Sequence, residues 1–323
     1  MKVLVLPKIN EVNKNKLLNS FKDIDFIFDS QDSVTQELIN EADIVVGNPR
    51  KNISLYNENL KALFLNSAGS DSYVKEGVLH PNTRLANASG SYGVAIAEHM
   101  IGMILAMNKN FKKFYHNMDE HKWENAKGGK EIYGSTVIIV GLGDLGYEIA
   151  KRLKVFNTHI IGVKRRVSDK PEYVDELYTT NYLDTLLPKA DYVILTLPHS
   201  KETYHMFNKD RLMKMKKDAI IANAGRGSAI DTDDLIDVLN SDHLYGALLD
   251  VVEEEPLPAS SPLWDIDNVF ITPHASGGFK WYSVQNYYYD LVIRNINHLL
   301  NNEELENEVD FSTGYRRHVF YKK

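Results

Sequence analysis

Short apolar, β-branched runs alternate with amphipathic stretches from the start of the chain. Val3–Leu6, Phe26–Phe28, Ile44–Gly47 and Leu63–Leu65 read as buried strands, and Val12–Phe21 and Val34–Asn40 as the helical stretches between them. Continuous apolar strands separated by helices suit a parallel sheet covered on both faces. The pattern predicts a small doubly wound unit over about the first 90 residues. Val94–Asn108 is apolar on nearly every face, which predicts a helix buried between two bodies. The next stretch, Asn110–Lys130, is polar but carries Phe111, Phe114, Tyr115 and Trp123. It reads either as a surface arm with a few packed rings or as a dimer contact, since exposed aromatics favour interfaces.

A second series begins at Ser135. Its predicted strands are Thr136–Val140, His159–Val163, Asp191–Leu197, Ala219–Asn223, Tyr245–Val251 and Val269–Thr272. Leu145–Phe156 and Thr232–Asn240 are predicted helices, the latter with Asp231 as its N-cap. One more helix, about Trp281–Leu300, precedes a polar tail. The simplest assembly returns that helix to the first unit. The expected substrate domain is then discontinuous, 1–93 plus 278–323, around a domain over 94–277. A cleft between two such bodies is a usual place for a small-molecule site.

Composition narrows the chemistry. The chain has 323 residues, 43% hydrophobic and 25% charged, with net charge −7 and no cysteine. Thiol catalysis, thiolate metal sites and disulfides are excluded. The negative charge argues against nucleic acid or an anionic membrane as the main partner, though not against small anions in a local basic pocket. The apolar run in MKVLVLPKIN is too short for a signal peptide, and no stretch approaches the length of a membrane span. A cytoplasmic protein without membrane contact is the expectation.

Val137–Val140 runs directly into Gly141-Leu142-Gly143-Asp144-Leu145-Gly146, where a helix begins. In that context Gly141 permits the tight turn and Gly143 lets backbone amides approach a pyrophosphate. Gly146 lets the helix pack close to the strand, and the helix N-terminus favours the anion. A dinucleotide site that prefers NAD(H) carries an acid after the next strand for the ribose 2′-hydroxyl. Here that strand ends in Lys164-Arg165-Arg166, cations suited to a 2′-phosphate. Asp169 lies too late to replace the acid. The expected cofactor is NADP(H), with NAD(H) as the alternative.

Three further strings stand at predicted strand ends: Asn223-Ala224-Gly225-Arg226-Gly227, Leu249 to Pro258 (LDVVEEEPLP) and Thr272-Pro273-His274-Ala275-Ser276-Gly277. Ligands of parallel α/β sheets bind beyond the carboxyl ends of the strands, so the three should face one crevice with the glycine turn. Reduction of a 2-oxo acid needs a cation for the carboxylate and ketone, and a proton donor for the developing alkoxide. Arg226 is always charged and planar, and an imidazole such as His274 titrates nearest neutrality. A glutamate of the 253–255 run can orient that ring and favour its protonated form. Taken singly, each residue also fits a loop ion pair, a solvated acidic loop or a capped histidine.

The strings GLGDLG, TLPHSKET, ANAGRG, LDVVEEEPLP and TPHASG, in this order, resemble the D-isomer-specific 2-hydroxyacid dehydrogenase family over essentially the whole chain. The resemblance implies an α/β fold with two doubly wound parallel-sheet domains, a Rossmann cofactor domain inserted in a flavodoxin-like substrate domain. It implies Arg226 as substrate clamp, His274 as proton donor in reduction and, as the glutamate directly before Pro256, Glu255 as the carboxylate partner. It further implies that Asp144, Leu145, Pro198, Ala224 and Asp250 line the cofactor, Asp250 at the nicotinamide carboxamide. The N–H groups of Ala68 and Gly69 in Asn66-Ser67-Ala68-Gly69 would hold the substrate carboxylate. His199 stands where a small or aliphatic residue is frequent. The tail, with Asn307-Glu308-Val309-Asp310 and Gly314-Tyr315, resembles one branch of the family, which names no substrate. The expected activity is reduction of a small 2-oxo acid of the glyoxylate or hydroxypyruvate type by a homodimer. The alternatives are a dinucleotide-sensing interaction protein of the C-terminal-binding-protein corepressor type and a phosphoglycerate dehydrogenase. Formate oxidation fits less well, because formate enzymes of this group carry glutamine in place of the dyad carboxylate.

Overall fold

The computed structural model describes residues 1–50, 52–166, 169–312 and 316–317. The chain divides into two compact units, Met1–Tyr92 with Phe279–Lys323, and Gly93–Gly278. In the first unit the elements run β1 (Lys2–Val5), α1 (Glu11–Ser20), β2 (Asp25–Phe28), α2 (Gln36–Glu41), β3 (Ile44–Val46), β4 (Ala62–Phe64) and β5 (Arg84–Ala86). The second unit holds α3 (Gly93–Asn108), α4 (Phe111–Asp119), β6 (Thr136–Val140), α5 (Asp144–Leu153), β7 (His159–Lys164), β8 (Glu176–Thr179), α6 (Leu183–Leu186), β9 (Tyr192–Leu195), α7 (Lys209–Met213), β10 (Ile220–Asn223), α8 (Thr232–Asn240), β11 (Gly246–Leu249) and β12 (Val269–Ile271). The terminal helix α9 (Tyr282–Leu300) belongs to the first unit.

Both sheets are parallel, with strand order β2-β1-β3-β4-β5 in the first unit and β12-β11-β10-β9-β6-β7-β8 in the second. The first order is the flavodoxin-like one. In the second, the order reverses between β6 and β9, the switch point of a Rossmann sheet. Alternation along each central strand supplies two cores. Val3 and Val5 face one side of the first sheet and Leu4 and Leu6 the other. Ile138 and Val140 likewise oppose Val137 and Ile139 in the second. Sheets buried on both faces explain why the strands read as unbroken apolar runs.

Helix α9 closes one face of the first sheet. Tyr288 and Tyr289 are buried there, and their hydroxyls donate to the carbonyls of Phe64 (2.9 Å) and Pro7 (3.0 Å). Burial drives both phenol pKa values upward. Helix α3 instead buries Met100, Met103, Ile104 and Met107 in a core of the second unit shared with Ile149 and Leu153 of α5. The Asp231 cap is present, its side chain accepting from Asp234 N at 3.1 Å.

Two strands depart from the expected pattern. β5 is only three residues long and begins with an arginine, and β8 is half-exposed along its whole length. Neither offers the apolar run by which buried strands are recognised. Within the 110–130 stretch α4 forms, and Phe111, Tyr115 and Trp123 are exposed. Among the described residues, no helix is long and apolar enough to cross a membrane. Gly314 and Tyr315 lie outside the described residues.

Candidate active site

The glycine turn brings strand, loop and helix backbones into close approach. Gly141 has φ +99°, and a Cβ there would stand 2.9 Å from the carbonyl oxygen of Thr196 on the next loop of the sheet. A Cβ on Gly146 would stand 2.9 Å from Gly141 O and 3.0 Å from Ile139. Only glycine permits that approach of helix to strand. At Gly143 an added Cβ meets nothing within 4 Å, so the glycine faces open space at the mouth of α5. Gly143 is also the N-cap of α5 and provides no side-chain cap. The first N–H groups of a helix have no intrahelical partner, so this end suits an anion such as a pyrophosphate.

Beyond β7, Lys164 is half-buried while Arg165 and Arg166 are exposed. Glu202 lies close enough for Arg165 to help hold its carboxyl below the ordinary range, after the larger effects of the Ser200 hydroxyl and its own backbone N–H. Pro198 is exposed on the loop after β9, and Ala224 is buried at the end of β10. His199 accepts or donates at Ser228 Oγ, 2.8 Å away.

Arg226 follows β10 directly. Its flanking glycines are required by backbone crowding. A Cβ on Gly225 would stand 2.5 Å from Leu197 N, and one on Gly227 2.5 Å from Glu253 N and closer still to the carbonyl of Val252. The Arg226 turn is thus wedged between the loop after β9 and the acidic loop after β11. Asn223 pins it from within, donating from Nδ2 to Arg226 O (3.0 Å) and accepting from Gly225 N (3.0 Å). The guanidinium is half-buried and donates to Gly225 O at 2.9 Å. Among the described residues it forms no ion pair, which leaves a charged fork for an anionic ligand.

The acidic loop separates its glutamates by role. Glu253 bonds His205 Nε2 at 2.5 Å and accepts from the Thr232 hydroxyl at 3.1 Å. Glu255 places Oε2 2.8 Å from His274 Nδ1, while its Oε1 accepts from Val252 N at 3.2 Å. His274 has φ +49° and a side chain about half exposed (51%). Its ring therefore has one nitrogen held by a carboxylate and an accessible edge.

Asp250 braces the loop that carries His274. It is 2% exposed, and its two oxygens are spent on the 272–276 loop. Oδ1 accepts from the Thr272 hydroxyl (2.6 Å) and from the N–H groups of Ala275 (3.0 Å) and Ser276 (3.2 Å), and Oδ2 accepts from the Ser276 hydroxyl. The backbone N–H of His274 donates to Asp250 O at 2.8 Å. On α3, His99 Nε2 lies 3.0 Å from Thr272 Oγ1. Asp250 and His99 fix the loop on which His274 is carried. The sequence reading missed His99, whose only signal was its place beside Glu98 in a mostly apolar helix.

The second unit matches the family model described as "D-isomer specific 2-hydroxyacid dehydrogenase, NAD binding domain" over residues 101–276. The chain belongs to the D-isomer-specific 2-hydroxyacid dehydrogenases. A glyoxylate reductase of Thermofilum pendens is 36% identical to this dehydrogenase over 223 residues, covering 67% of this chain and 65% of the relative. Among solved structures, a D-isomer specific 2-hydroxyacid dehydrogenase family protein of Aeromonas salmonicida superposes with TM-score 0.85 at 28% identity, covering 96% of this chain and 99% of that one. An NADPH-dependent glyoxylate/hydroxypyruvate reductase of Sinorhizobium meliloti, in complex with NADP and sulfate, gives TM-score 0.77 at 26% identity over 97% and 99% of the two chains. This dehydrogenase is therefore an NAD(P)-dependent oxidoreductase of 2-hydroxy and 2-oxo acids.

Proposed function

We propose that this dehydrogenase is an NADPH-preferring reductase of a small 2-oxo acid, of the glyoxylate or hydroxypyruvate kind. The observation that carries the reading is the 2.8 Å contact between Glu255 and His274, with the Arg226 fork, which has no ion-pair partner among the described residues, on a turn wedged against the same acidic loop. The relatives' names and the Sinorhizobium enzyme's bound NADP support the substrate class and the cofactor.

The roles follow from chemistry. Gly141, Gly143, Asp144, Leu145 and Gly146 hold the dinucleotide phosphates at the α5 N-terminus, with Pro198 and Ala224 lining the cofactor further along the sheet edge. Lys164, Arg165 and Arg166 take the 2′-phosphate by charge-assisted hydrogen bonds. When bound, the nicotinamide supplies the hydride. Arg226 binds the substrate carboxylate and polarises its ketone, and the N–H groups of Ala68 and Gly69 bind the carboxylate. His274 donates its proton to the oxygen that gains charge. Glu255 holds the imidazole in the tautomer and orientation that present the other nitrogen, and stabilises the protonated ring. Asp250 meets the nicotinamide carboxamide and also braces the His274 loop.

A panel of 2-oxo acids with NADPH and NADH tests the proposal. Turnover of glyoxylate or hydroxypyruvate, lost in His274→Ala and Arg226→Ala, supports it. Tight NADPH binding with no turnover of any member would favour the sensor class instead. The exposed Phe111, Tyr115 and Trp123 on and after α4 support a homodimer through this arm. Sedimentation of the chain and of Trp123→Ser measures it, and a wild-type monomer would remove that part of the proposal.

A further inference from the structure

The loop after β4 has all its carbonyls turned to donors within the first unit. Asn66 O accepts from the Tyr92 hydroxyl, and Ser67 O from Ala88 N at 2.9 Å. Ala68 O accepts from Asn87 Nδ2 at 2.9 Å, and Gly69 O from the Ser67 hydroxyl at 2.8 Å. Asn48, just past β3, serves both ends of this arrangement. Its Nδ2 donates to Ser67 Oγ (2.9 Å), which in turn donates to Gly69 O, and its Oδ1 accepts from Asn66 N (2.9 Å). By contrast, no acceptor for the N–H of Ala68 or Gly69 is found among the described residues, although Ala68 is exposed and Gly69 half-buried. The loop is thus polarised: its negative ends face protein donors, and the N–H groups of Ala68 and Gly69 remain for a ligand. Successive backbone N–H groups so arranged form an anion-binding concavity.

We infer that Asn48, Asn87 and Tyr92 are positioning residues for the substrate carboxylate, acting through the backbone of residues 66–69. They touch neither substrate nor cofactor. The inference rests on the reading of Ala68 and Gly69 as carboxylate ligands and adds what fixes their orientation. Without these three side chains the loop's peptide planes are free to rotate. A carbonyl turned outward would present negative charge where the carboxylate binds. Asn87 is itself anchored: its N–H donates to Asn307 O at 3.2 Å, and Asn307 Nδ2 donates to Ser89 O at 2.7 Å. The Tyr92 phenol is driven well above its ordinary pKa by burial, so it stays a neutral O–H donor across the working range.

The test is steady-state kinetics of Asn48→Ala, Asn87→Ala and the nearly isosteric Tyr92→Phe, with glyoxylate, NADPH and the carboxylate-bearing inhibitor oxamate. The KM for glyoxylate and the Ki of oxamate should rise together, by about fivefold for Tyr92→Phe and tenfold or more for Asn48→Ala, the scale of one or two lost hydrogen bonds. The KM for NADPH should not move, and kcat should stay within about twofold, since uniform binding of the substrate is what is lost. An unchanged glyoxylate KM in folded Tyr92→Phe and Asn48→Ala would overturn the inference. So would a KM for NADPH rising in step with that for glyoxylate, which marks a general structural role. Failure of the parent reading looks different: the wild-type enzyme would then reduce no 2-oxo acid, or its oxamate affinity would survive Gly69→Pro, which removes one of the two N–H donors.

Discussion

Replacing Gly227 by alanine tests whether the Arg226 turn and the acidic loop are one mechanical piece. The new Cβ would stand 2.5 Å from Glu253 N and nearer still to Val252 O, and both are backbone atoms with no side-chain torsion to relieve the clash. Ordinary contact between such atoms begins near 3.5 Å, so the 252–253 backbone must retreat by at least about 1 Å. Glu255 is two residues further on and reaches His274 through a single 2.8 Å hydrogen bond. A shift of about 1 Å carries that bond past the distance at which it holds the ring, and misplacement on this scale costs about 10²-fold in turnover. That is about 2.7 kcal/mol of transition-state stabilisation. The assay is kcat with NADPH and the best 2-oxo acid of the panel, alongside the thermal midpoint and NADPH affinity. Glu255→Gln, which removes the carboxylate charge without any clash, should reproduce the loss of turnover. Gly102→Ala serves as a control, because its Cβ meets nothing within 4 Å on the exposed side of α3. It should leave kcat unchanged and stabilise the fold by about 0.5–1 kcal/mol. A folded Gly227→Ala enzyme with kcat within about threefold of wild type would refute the coupling of the two loops.

Three other outcomes follow from the same geometry. Asp250→Asn replaces an acceptor oxygen by an amide donor among Thr272, Ala275 and Ser276, so it should cost about 1–3 kcal/mol in denaturant unfolding and lower kcat with it; native stability in that variant would show that the loop is held elsewhere. Arg165→Gln and Arg166→Gln should cut kcat/KM for NADPH while sparing NADH, and equal losses with both cofactors would separate these arginines from the 2′-phosphate. At Glu308, burial works to raise the carboxyl pKa, but the hydrogen bond from Arg84 and the Leu305 N–H outweigh it and leave the group below its ordinary range. The pair's stabilisation is therefore full above the unfolded glutamate pKa and is lost as pH falls through the lower folded value; Glu308→Gln should flatten the acid limb of a stability-versus-pH curve, and an unaltered limb would discount the pair.

The amino-acid sequence by itself determined the two parallel sheets, because strands buried on both faces must be unbroken apolar runs, and Val137–Val140 and Ile220–Asn223 can be little else. It also determined which chemical groups are available: the glycine turn, Arg226, the run of glutamates and His274. Strands β5 and β8 were illegible, since three residues led by arginine and a half-exposed edge carry no such run. What only the tertiary structure decided is how the available groups are shared out. Three adjacent glutamates are chemically equivalent in sequence, yet Glu253 is engaged by His205 and Thr232 while Glu255 meets His274. Asp250 is a buried brace for the His274 loop, a role set by hydroxyl and N–H groups more than 20 residues away. The orientation of the 66–69 loop depends on Asn48, Asn87 and Tyr92, separated from it along the chain and joined to it only when the sheet forms. Periodicity is local and survives in the sequence, whereas hydrogen-bond partners are chosen by the packing of distant segments.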